Sequence, residues 1–496
     1  MSSPIQSPAA AATGSSRRWW ALAVLVMAQF VTILDAAIVN VALPSIQTDL
    51  GFAAQDLQWV VTGYAIFFGG VLLLGGRLAD RVGRRRVFVS GMALFTVASL
   101  FNGLAWDDTA LIAGRALQGL AAALLVPAAL SMLVTIFPEG RDRNRALGIW
   151  AAASAGGGSF GLLLGGVLTD ALSWEWIFYI NLPIGAAIIG MAAIFLTESR
   201  LELDGRRFDA LGATTITAGL MVLVYGLTRA VDAGWTSIET IGLLGGSAAL
   251  IAAFLVIEAR SAAPIMPLRI FRLRTLAASN VSGFFVGVAV VVFFLGSLYV
   301  QLVLGYSAIE TGAAFLAVSL SVVAGAGIAQ ALVERVGIRP VIPAGFALAA
   351  LALFLLAQAP VDGEYIVDLL PPFAIFGLGM SFAFVGAQIG AQTGVAPADA
   401  GIASGLINTS QQIGGAIAVA VATTISASAT QSYAEDHPRA DALGAAALTH
   451  GYEVAYYVCA GAAVLAALIS ALMLKPEPTE AALNSAQGRA PEPDVA

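Results

Sequence analysis

The segment ADRVGRRRVFV at residues 79–89 has a counterpart, VERVGIRPVIP, at residues 333–343. Arg, Val, Gly, Arg and Val occupy the same places in both segments, and an acidic residue precedes the first arginine in each. Their first residues, 79 and 333, are 254 positions apart. A polar segment repeated at this distance predicts two related halves with an additional segment between them.

Apolar stretches surround both segments. The 496 residues are 59% hydrophobic and only 11% charged, with a mean hydropathy of +0.87, whereas soluble domains are about 25% charged. The apolar runs continue for about 20 residues, which is the length of a membrane-spanning helix. The strands of a membrane β-barrel alternate instead, over about ten residues. The composition therefore predicts an all-α polytopic membrane protein.

The apolar runs predict fourteen transmembrane helices. We place them at residues 19–43, 57–76, 87–105, 110–137, 144–170, 175–197, 209–229, 237–258, 275–302, 310–333, 339–358, 366–392, 401–427 and 452–474. The repeated segments follow spans two and ten, so the spans divide into six, two and six. Two six-helix bundles with a substrate path between them are an architecture of transporters.

This division predicts five regions along the chain. They are a flexible cytoplasmic tail (1–18), an N-terminal six-helix bundle (19–200), two linker helices with flanking loops (201–274), a C-terminal six-helix bundle (275–475) and a flexible cytoplasmic tail (476–496). Of the 24 Lys and Arg residues, 21 fall at one set of alternate span ends; Arg115, Arg229 and Arg439 do not. By the positive-inside rule that side is cytoplasmic, which places both termini in the cytoplasm.

Five motifs resemble those of one transporter family. They are LDAAIVNVALPSI (34–46), GRLADRVGRRR (76–86), LIAGRALQGLAAALLVPAAL (111–130), GGSFGLLLGG (157–166) and WEWIFYINLP (174–183). Their order and type resemble the major facilitator superfamily, and within it the fourteen-helix drug:proton antiporters of the EmrB/QacA type. The resemblance covers residues 17–475 and implies a major facilitator fold in a bacterial plasma membrane. Leu162 stands where the antiporter motif has proline, and Glu175 where the last motif has arginine.

Two ionisable residues are predicted at similar depth inside the spans. Asp35 lies about eight residues, or roughly 12 Å, from the outer end of span one, and Arg115 lies roughly 8 Å into span four. Charged groups within a membrane usually face the bundle interior and pair with each other. Because a nearby guanidinium favours the charged carboxylate, movement of Arg115 would switch Asp35 between proton release and uptake. The alternative is a static ion pair that only orients two helices.

Two glycine-containing motifs suggest moving parts. The loop residues Gly76, Asp80, Arg81, Gly83 and Arg84 are implied by the resemblance to latch the two halves on the cytoplasmic side, while the simpler reading is that the arginines only fix topology. In span five, glycines permit close helix packing, and the resemblance favours a flexible seam. These glycines are Gly157, Gly161, Gly165 and Gly166.

Uncharged polar residues and one tyrosine are candidates for a substrate cavity. They are Asn40, Tyr64, Gln118, Gln301, Asn408, Gln411 and Gln412. Each amide could equally form hydrogen bonds between helices.

The remaining composition excludes other partners. A single cysteine, Cys459, and two histidines, His437 and His450, give no metal-ligand spacing, so we expect no metal and no cofactor. The net charge of −7 suggests no nucleic-acid partner. We expect a monomer in the lipid bilayer whose partners are protons and a small-molecule substrate.

The function predicted is proton-coupled efflux of small amphipathic or lipophilic compounds, such as drugs, antibiotics and dyes. Proton-coupled transport of an endogenous metabolite or nutrient is the alternative. An enzyme is disfavoured because the sequence shows no nucleophile–base pair and no phosphate-binding loop. A membrane scaffold is disfavoured by the repeated bundles.

Overall fold

A computed structural model describes residues 8–53, 56–137, 141–199, 209–234, 236–261, 264, 268–395, 400–437 and 443–474. Over these ranges the chain is helical apart from short connections. We number the helices α1 (Pro8–Leu50), α2 (Gln58–Val82), α3 (Arg84–Gly103), α4 (Asp108–Ile136), α5 (Arg141–Ala171), α6 (Trp176–Phe195), α7 (Ala210–Ala233), α8 (Ile238–Arg260), α9 (Arg274–Val303), α10 (Ala308–Val336), α11 (Ile338–Leu356), α12 (Tyr365–Gln392), α13 (Ala400–Asp436) and α14 (Leu443–Met473).

Eleven helices among the described residues are long and apolar enough to cross a membrane. Shorter apolar stretches at Gln58–Leu72, Phe160–Ala171 and Leu211–Leu227 lie in α2, α5 and α7. The all-helical membrane fold is therefore confirmed, and each predicted span coincides with a helix. The number of fourteen membrane crossings stays a prediction.

The first helix differs from the sequence-based expectation. We expected a flexible tail up to residue 18, but α1 begins at Pro8. Pro8 is followed by four consecutive alanines, and alanine has the highest helix propensity. These residues extend the membrane helix toward the N-terminus. Residues 1–7 and 475–496, which include the other predicted tail, lie outside the described part of the chain.

Two large apolar clusters form the core. One lies wholly within α1–α6 and includes the buried rings of Phe88, Phe95 and Phe137. The other joins the second part of α1, from Leu34 to Ile46, to helices of α9–α14. The two halves therefore share a continuous apolar contact on the side predicted to be extracytoplasmic, which we call the outer side.

A proline in α1 prepares one contact between the halves. Pro44 has no N–H, so the carbonyl of Asn40, four residues earlier, has no donor within the helix. The hydroxyl of Ser297 in α9 donates to that carbonyl at 2.7 Å, and the Gln301 amide donates to the next carbonyl, that of Val41, at 3.0 Å. The missing N–H of Pro44 thus leaves free an acceptor that the other half uses.

A second contact between the halves joins α5 to α10. The carboxylate of Asp170, at the outer end of α5, accepts hydrogen bonds from the backbone N–H groups of Ala308 (3.3 Å) and Ile309 (2.8 Å). These groups belong to the first turn of α10, whose N–H groups have no partner within the helix. Both contacts lie on the outer side, so the molecule is held closed there.

The linker helices α7 and α8 pack against each other, and Ser247 donates to the carbonyl of Gly219 at 2.8 Å. The hydroxyl of Thr217 in α7 donates to the carbonyl of Gly70 in α2 at 2.7 Å. Helix α7 also contacts α13 of the other half. The linker pair therefore lies over the junction between α2 and α13.

Candidate functional site

A buried ion pair lies within the first six helices. An Nη1 atom of Arg115 in α4 is 2.6 Å from Oδ2 of Asp35 in α1, and the two side chains are 1% and 0% exposed. The structure thus brings together the two residues whose depths suggested a pair. Removing one partner of a buried pair commonly costs about 3–5 kcal/mol of stability, because the other charge is left uncompensated.

Two amides complete the environment of the carboxylate. Oδ1 of Asp35 accepts hydrogen bonds from Gln118 Nε2 at 2.9 Å and from Asn181 Nδ2 at 2.7 Å. Together with Arg115, these give three hydrogen-bond donors to one carboxylate. Both oxygens of the buried carboxylate therefore have partners in this conformation.

The guanidinium of Arg115 is held from several sides. Its Nε donates to the carbonyl of Val60 at 3.0 Å, and its Nη1 also donates to Gln118 Oε1 at 2.7 Å. Its central carbon lies 4.6 Å from the centre of the Tyr64 ring and 5.8 Å from that of Phe178. Cation–π contacts of this kind contribute most when desolvated. Helices α1, α2, α4 and α6 therefore all meet at this residue.

Glycines in α4 make this convergence possible. A Cβ at Gly119 would lie 2.2 Å from the backbone oxygen of Tyr64, and one at Gly114 would lie 1.9 Å from Oδ1 of Asn102. These distances exclude any side chain at either position without displacement of α2 or α3. The glycines flanking Arg115 and Gln118 thus set how closely the surrounding helices approach the pair.

The predicted gating loop contacts the N-terminal half in the described residues. Gly83 has a φ of +124°, and a Cβ there would lie 2.6 Å from Oε1 of Glu198. That glutamate accepts hydrogen bonds from the backbone N–H groups of Arg85 (3.1 Å) and Arg86 (3.2 Å) at the start of α3. The loop is therefore anchored to the segment that follows α6.

The other loop residues have separate environments. Gly76 faces Pro127 of α4, Arg84 donates to the hydroxyl of Thr135, and Arg81 is exposed. The side chain of Asp80 lies outside the described part of the structure. The predicted latch between the halves stays a prediction.

The glycines of α5 form a contact surface with two partners. A Cβ at Gly157, Gly161 or Gly165 would lie within 2.7–2.8 Å of the carbonyl oxygens of residues 30, 34 and 38 in α1. Gly166 instead faces the first turn of α10, with Ala308 O at 2.5 Å from an added Cβ. Three of the motif glycines therefore fit α5 to the helix that carries Asp35, and the fourth fits it to the other half.

The candidate cavity residues divide into two groups. Tyr64, Gln118 and Asn40 are buried. Tyr64 and Gln118 belong to the cluster around Arg115, whereas the Asn40 amide donates hydrogen bonds to backbone carbonyls of its own helix. Gln301 is half-buried and bridges α9 to α1. The half-buried residues Asn408, Gln411 and Gln412 lie on α13, where the Cβ of Gln412 packs against Gly69 of α2. A role in substrate binding stays a prediction for all of them.

Three residues of the cluster were absent from the sequence-based site. Asn181 touches Asp35, and Ser99 accepts hydrogen bonds from Gln118 Nε2 (2.8 Å) and Asn181 Nδ2 (3.3 Å). Asn102 donates to Gln118 Oε1 at 2.6 Å. The available signal was a polar residue in an apolar run near a span end, as in INLP at residues 180–183.

Sequence comparison places the chain among transporters. The model of the Major Facilitator Superfamily matches residues 25–419. The "Puromycin resistance protein pur8" of Streptomyces alboniger is 37% identical over 486 residues, which cover 97% of this chain and 95% of that protein. The "Cephamycin export protein CmcT" of Amycolatopsis lactamdurans is 42% identical over 415 residues, covering 83% and 85%.

Solved structures support the same fold. An auto-inhibited peptide transporter of the POT family aligns with a TM-score of 0.66 at 17% identity, covering 91% of this chain and 96% of that one. A bacterial homologue of the lysosomal transporter Spinster, inward-facing and unoccupied, aligns with a TM-score of 0.63 at 16% identity, covering 92% and 97%. At these identities the likeness concerns the fold alone.

Proposed function

The chain belongs to the major facilitator superfamily, and from that premise we propose that it exports small amphipathic or lipophilic compounds, antibiotics among them, in exchange for protons. The membership makes it an integral membrane transporter with a small-molecule substrate. Export is supported by the relatives that match most of its length, whose names refer to puromycin resistance and cephamycin export.

The observation that carries proton coupling is the full burial of Asp35 against Arg115, at 2.6 Å. In this conformation the carboxylate of Asp35 is paired with a guanidinium and shielded from water. If alternating access separates the pair and opens the site to water, the carboxylate gains an environment in which it takes up a proton. The alternative is a static ion pair that only orients α1 and α4 and never separates. The two hypotheses differ in one outcome: neutralising Asp35 abolishes proton coupling only if the pair takes part in transport.

The contacts on the outer side support alternating access. Asp170 and Ser297 each join the two halves there through backbone groups of the opposite half. Opening toward the outside requires that these hydrogen bonds break while others form on the inner side. We propose a monomer in a bacterial plasma membrane with both termini in the cytoplasm, an orientation supported by the bias of the basic residues.

Transport of an endogenous metabolite is the second candidate. The puromycin resistance relative comes from Streptomyces alboniger, and the cephamycin export relative comes from Amycolatopsis lactamdurans. A compound made by the cell itself would use the same exit path. Nutrient uptake has no such support among the relatives named above.

Everted membrane vesicles test the proposal directly. Vesicles from cells that express the protein should accumulate labelled puromycin when their lumen is acidified, and a protonophore should abolish the accumulation. A cephamycin and a lipophilic dye should be tried in parallel, because relatives of this chain are named for chemically different antibiotics. Failure of all three compounds to accumulate above vesicles without the protein would contradict drug export.

Neutralisation of Asp35 separates coupling from transport. We expect Asp35→Asn to lose gradient-driven accumulation by at least about tenfold while retaining exchange of labelled for unlabelled puromycin, which moves no net protons. The exposed carboxylate of Asp142 provides the matched control, because Asp142→Asn removes a charge from the surface. Full gradient-driven accumulation by Asp35→Asn would contradict the coupling role.

A further inference from the structure

Asn181 has one unused polar atom beside the proton site. The residue is fully buried, and its Nδ2 donates to Oδ1 of Asp35 at 2.7 Å and to the hydroxyl oxygen of Ser99 at 3.3 Å. Its Oδ1 is buried and has no hydrogen-bond partner. Buried amide oxygens are nearly always paired, so an unpaired one adjacent to an ionisable group calls for an explanation.

The second amide at the carboxylate is fixed by its surroundings. Oε1 of Gln118 accepts from Arg115 Nη1 at 2.7 Å and from Asn102 Nδ2 at 2.6 Å. Rotation of the Gln118 amide by half a turn would direct its NH₂ group at both of these donors. Asn181 has no such restraint, because its oxygen accepts from nothing. Of the two amides on Asp35, only Asn181 is free to turn.

Protonation of Asp35 produces a hydrogen-bond donor that has no acceptor in the present arrangement. In the charged form, Oδ1 and Oδ2 accept from Arg115, Gln118 and Asn181. A proton added to Oδ1 turns that oxygen into a donor facing the NH₂ groups of Gln118 and Asn181, which cannot accept. A half-turn of the Asn181 amide about its Cβ–Cγ bond would place Oδ1 of Asn181 where Nδ2 stood, and the new O–H would donate to it.

We propose that Asn181 is a positioning residue that serves both protonation states of Asp35, donating to the carboxylate and, after its amide turns, accepting from the carboxylic acid. The inference rests on the proposed proton coupling. The proton enters from water and stays on Asp35 until it is released, so no other group gains or loses one. Among the described residues, the ionisable groups in contact with the site are Arg115 from α4 and Tyr64 from α2, and the side chains that α3 and α6 contribute are neutral.

The turn also has a mechanical consequence. Asn181 follows directly after Ile180, where the helical segment Trp176–Tyr179 ends and Asn181–Phe195 begins. When its NH₂ group leaves Asp35 it also leaves Ser99, whose hydroxyl proton is already donated to the carbonyl of Phe95 at 2.8 Å. The proton-loaded state therefore loses a link between α6 and α3. Proton binding would in this way loosen the helices around the site.

Infrared spectroscopy of the purified protein tests the turn without any substrate. The C=O band of the protonated Asp35 acid, assigned by its loss in Asp35→Asn, lies at higher wavenumber when the acid donates no hydrogen bond. Asn181→Leu should shift this band upward. Asn181→Ser, whose hydroxyl both donates and accepts, should return it toward the wild-type position. The control is Asn280→Leu, which removes another buried amide, one that bonds Leu276 and Ser410 in the other half.

Transport provides the second readout. Charged hydrogen bonds are about twice as strong as neutral ones, so Asn181→Leu loses more from the carboxylate than from the acid. The pH at which half-maximal puromycin accumulation occurs should therefore rise by about one pH unit, with partial recovery in Asn181→Ser. An unchanged acid band in folded Asn181→Leu would overturn the proposal, as would an Asn181→Ser variant indistinguishable from Asn181→Leu. The band is measured without transport, so its outcome stands apart from a failure of drug export.

Discussion

The hydroxyl of Ser297 donates to the backbone carbonyl of Asn40 at 2.7 Å, and it does so because Pro44 leaves that carbonyl without a donor in its own helix. The contact lies five residues beyond Asp35 on the same helix. The C-terminal half therefore holds the helix that carries the ionisable carboxylate, close to the site itself. Substitutions at this contact between the halves are therefore expected to shift the position of Asp35.

This relationship predicts a coupled pair of substitutions. Ser297→Ala leaves a buried carbonyl unpaired and should destabilise the protein by about 1–3 kcal/mol. In a Pro44→Ala background, residue 44 regains an N–H that can bond the Asn40 carbonyl within the helix, so Ser297→Ala should cost less there. A double-mutant cycle by thermal unfolding in detergent measures the difference. Strict additivity would refute the link between the proline and the serine.

The glycines of α5 predict opposite effects at neighbouring positions. A Cβ at Gly161 would lie 2.7 Å from the carbonyl oxygen of Leu34, whereas a Cβ at Gly158 would have nothing within 4 Å. Gly161→Ala should therefore destabilise by about 1–3 kcal/mol through overpacking. Gly158→Ala should be neutral or stabilise by up to about 1 kcal/mol, because alanine favours the helix. Thermal unfolding of the two variants side by side makes the comparison; equal changes would argue against the assigned face.

The capping of α10 by Asp170 predicts a change in outer accessibility. Asp170→Ala removes the acceptor for the N–H groups of Ala308 and Ile309 and should weaken closure on the outer side by about 0.5–2 kcal/mol. A cysteine placed at Leu163, which packs near Gly312, should then react faster with a membrane-impermeant thiol reagent in a Cys459→Ala background. Glu310→Ala is the control, since its carboxylate caps α10 from within the same helix. Identical labelling rates in all three proteins would count against the contact as a closure element.

The anchoring of the gating loop predicts that Glu198 contributes to the stability of the protein. This carboxylate accepts from the N–H groups of Arg85 and Arg86 at the first turn of α3, so Glu198→Ala should destabilise by about 0.5–2 kcal/mol. Glu239, in an exposed pair with Arg229 at 3.2 Å, is the matched control and should change stability by no more than about 0.5 kcal/mol. Thermal unfolding measures both, and a smaller effect at residue 198 than at 239 would disagree with the anchor.

Sequence reasoning placed the ion pair because the rise of a helix converts residue number into depth. Asp35 and Arg115 are each counted from a predicted outer end, and matching depths made contact plausible without any knowledge of helix rotation. The fold was accessible for a similar reason, since the repeated loops and the run lengths depend only on spacing along the chain. The family resemblance added the packing of the six-helix halves.

The direction in which each residue faces around its helix axis could not be predicted in this way. Gly157 and Gly158 are adjacent and chemically identical, yet one faces α1 and the other faces open space. Asn181 lies where α6 is interrupted at Ile180; the nearby Pro183, which has no N–H, indicates a break in the helix but not the direction in which the Asn181 side chain points. Gln118 looked like a cavity residue because polar side chains in spans are ambiguous, and only the positions of Ser99 and Asn102 in α3 show that it is fully enclosed.

The hydrogen bond from Thr217 to the carbonyl of Gly70 bears on how lipophilic molecules reach the centre of the protein. Helix α7 covers the junction of α2 and α13, so a compound dissolved in the bilayer cannot slip sideways between those two helices while the linker pair stays in place. The corresponding junction on the opposite flank, where α5 meets α10, has no such cover among the described residues. In this conformation α7 therefore separates the α2–α13 junction from the surrounding lipid, whereas α5 and α10 seal the opposite flank by direct contact.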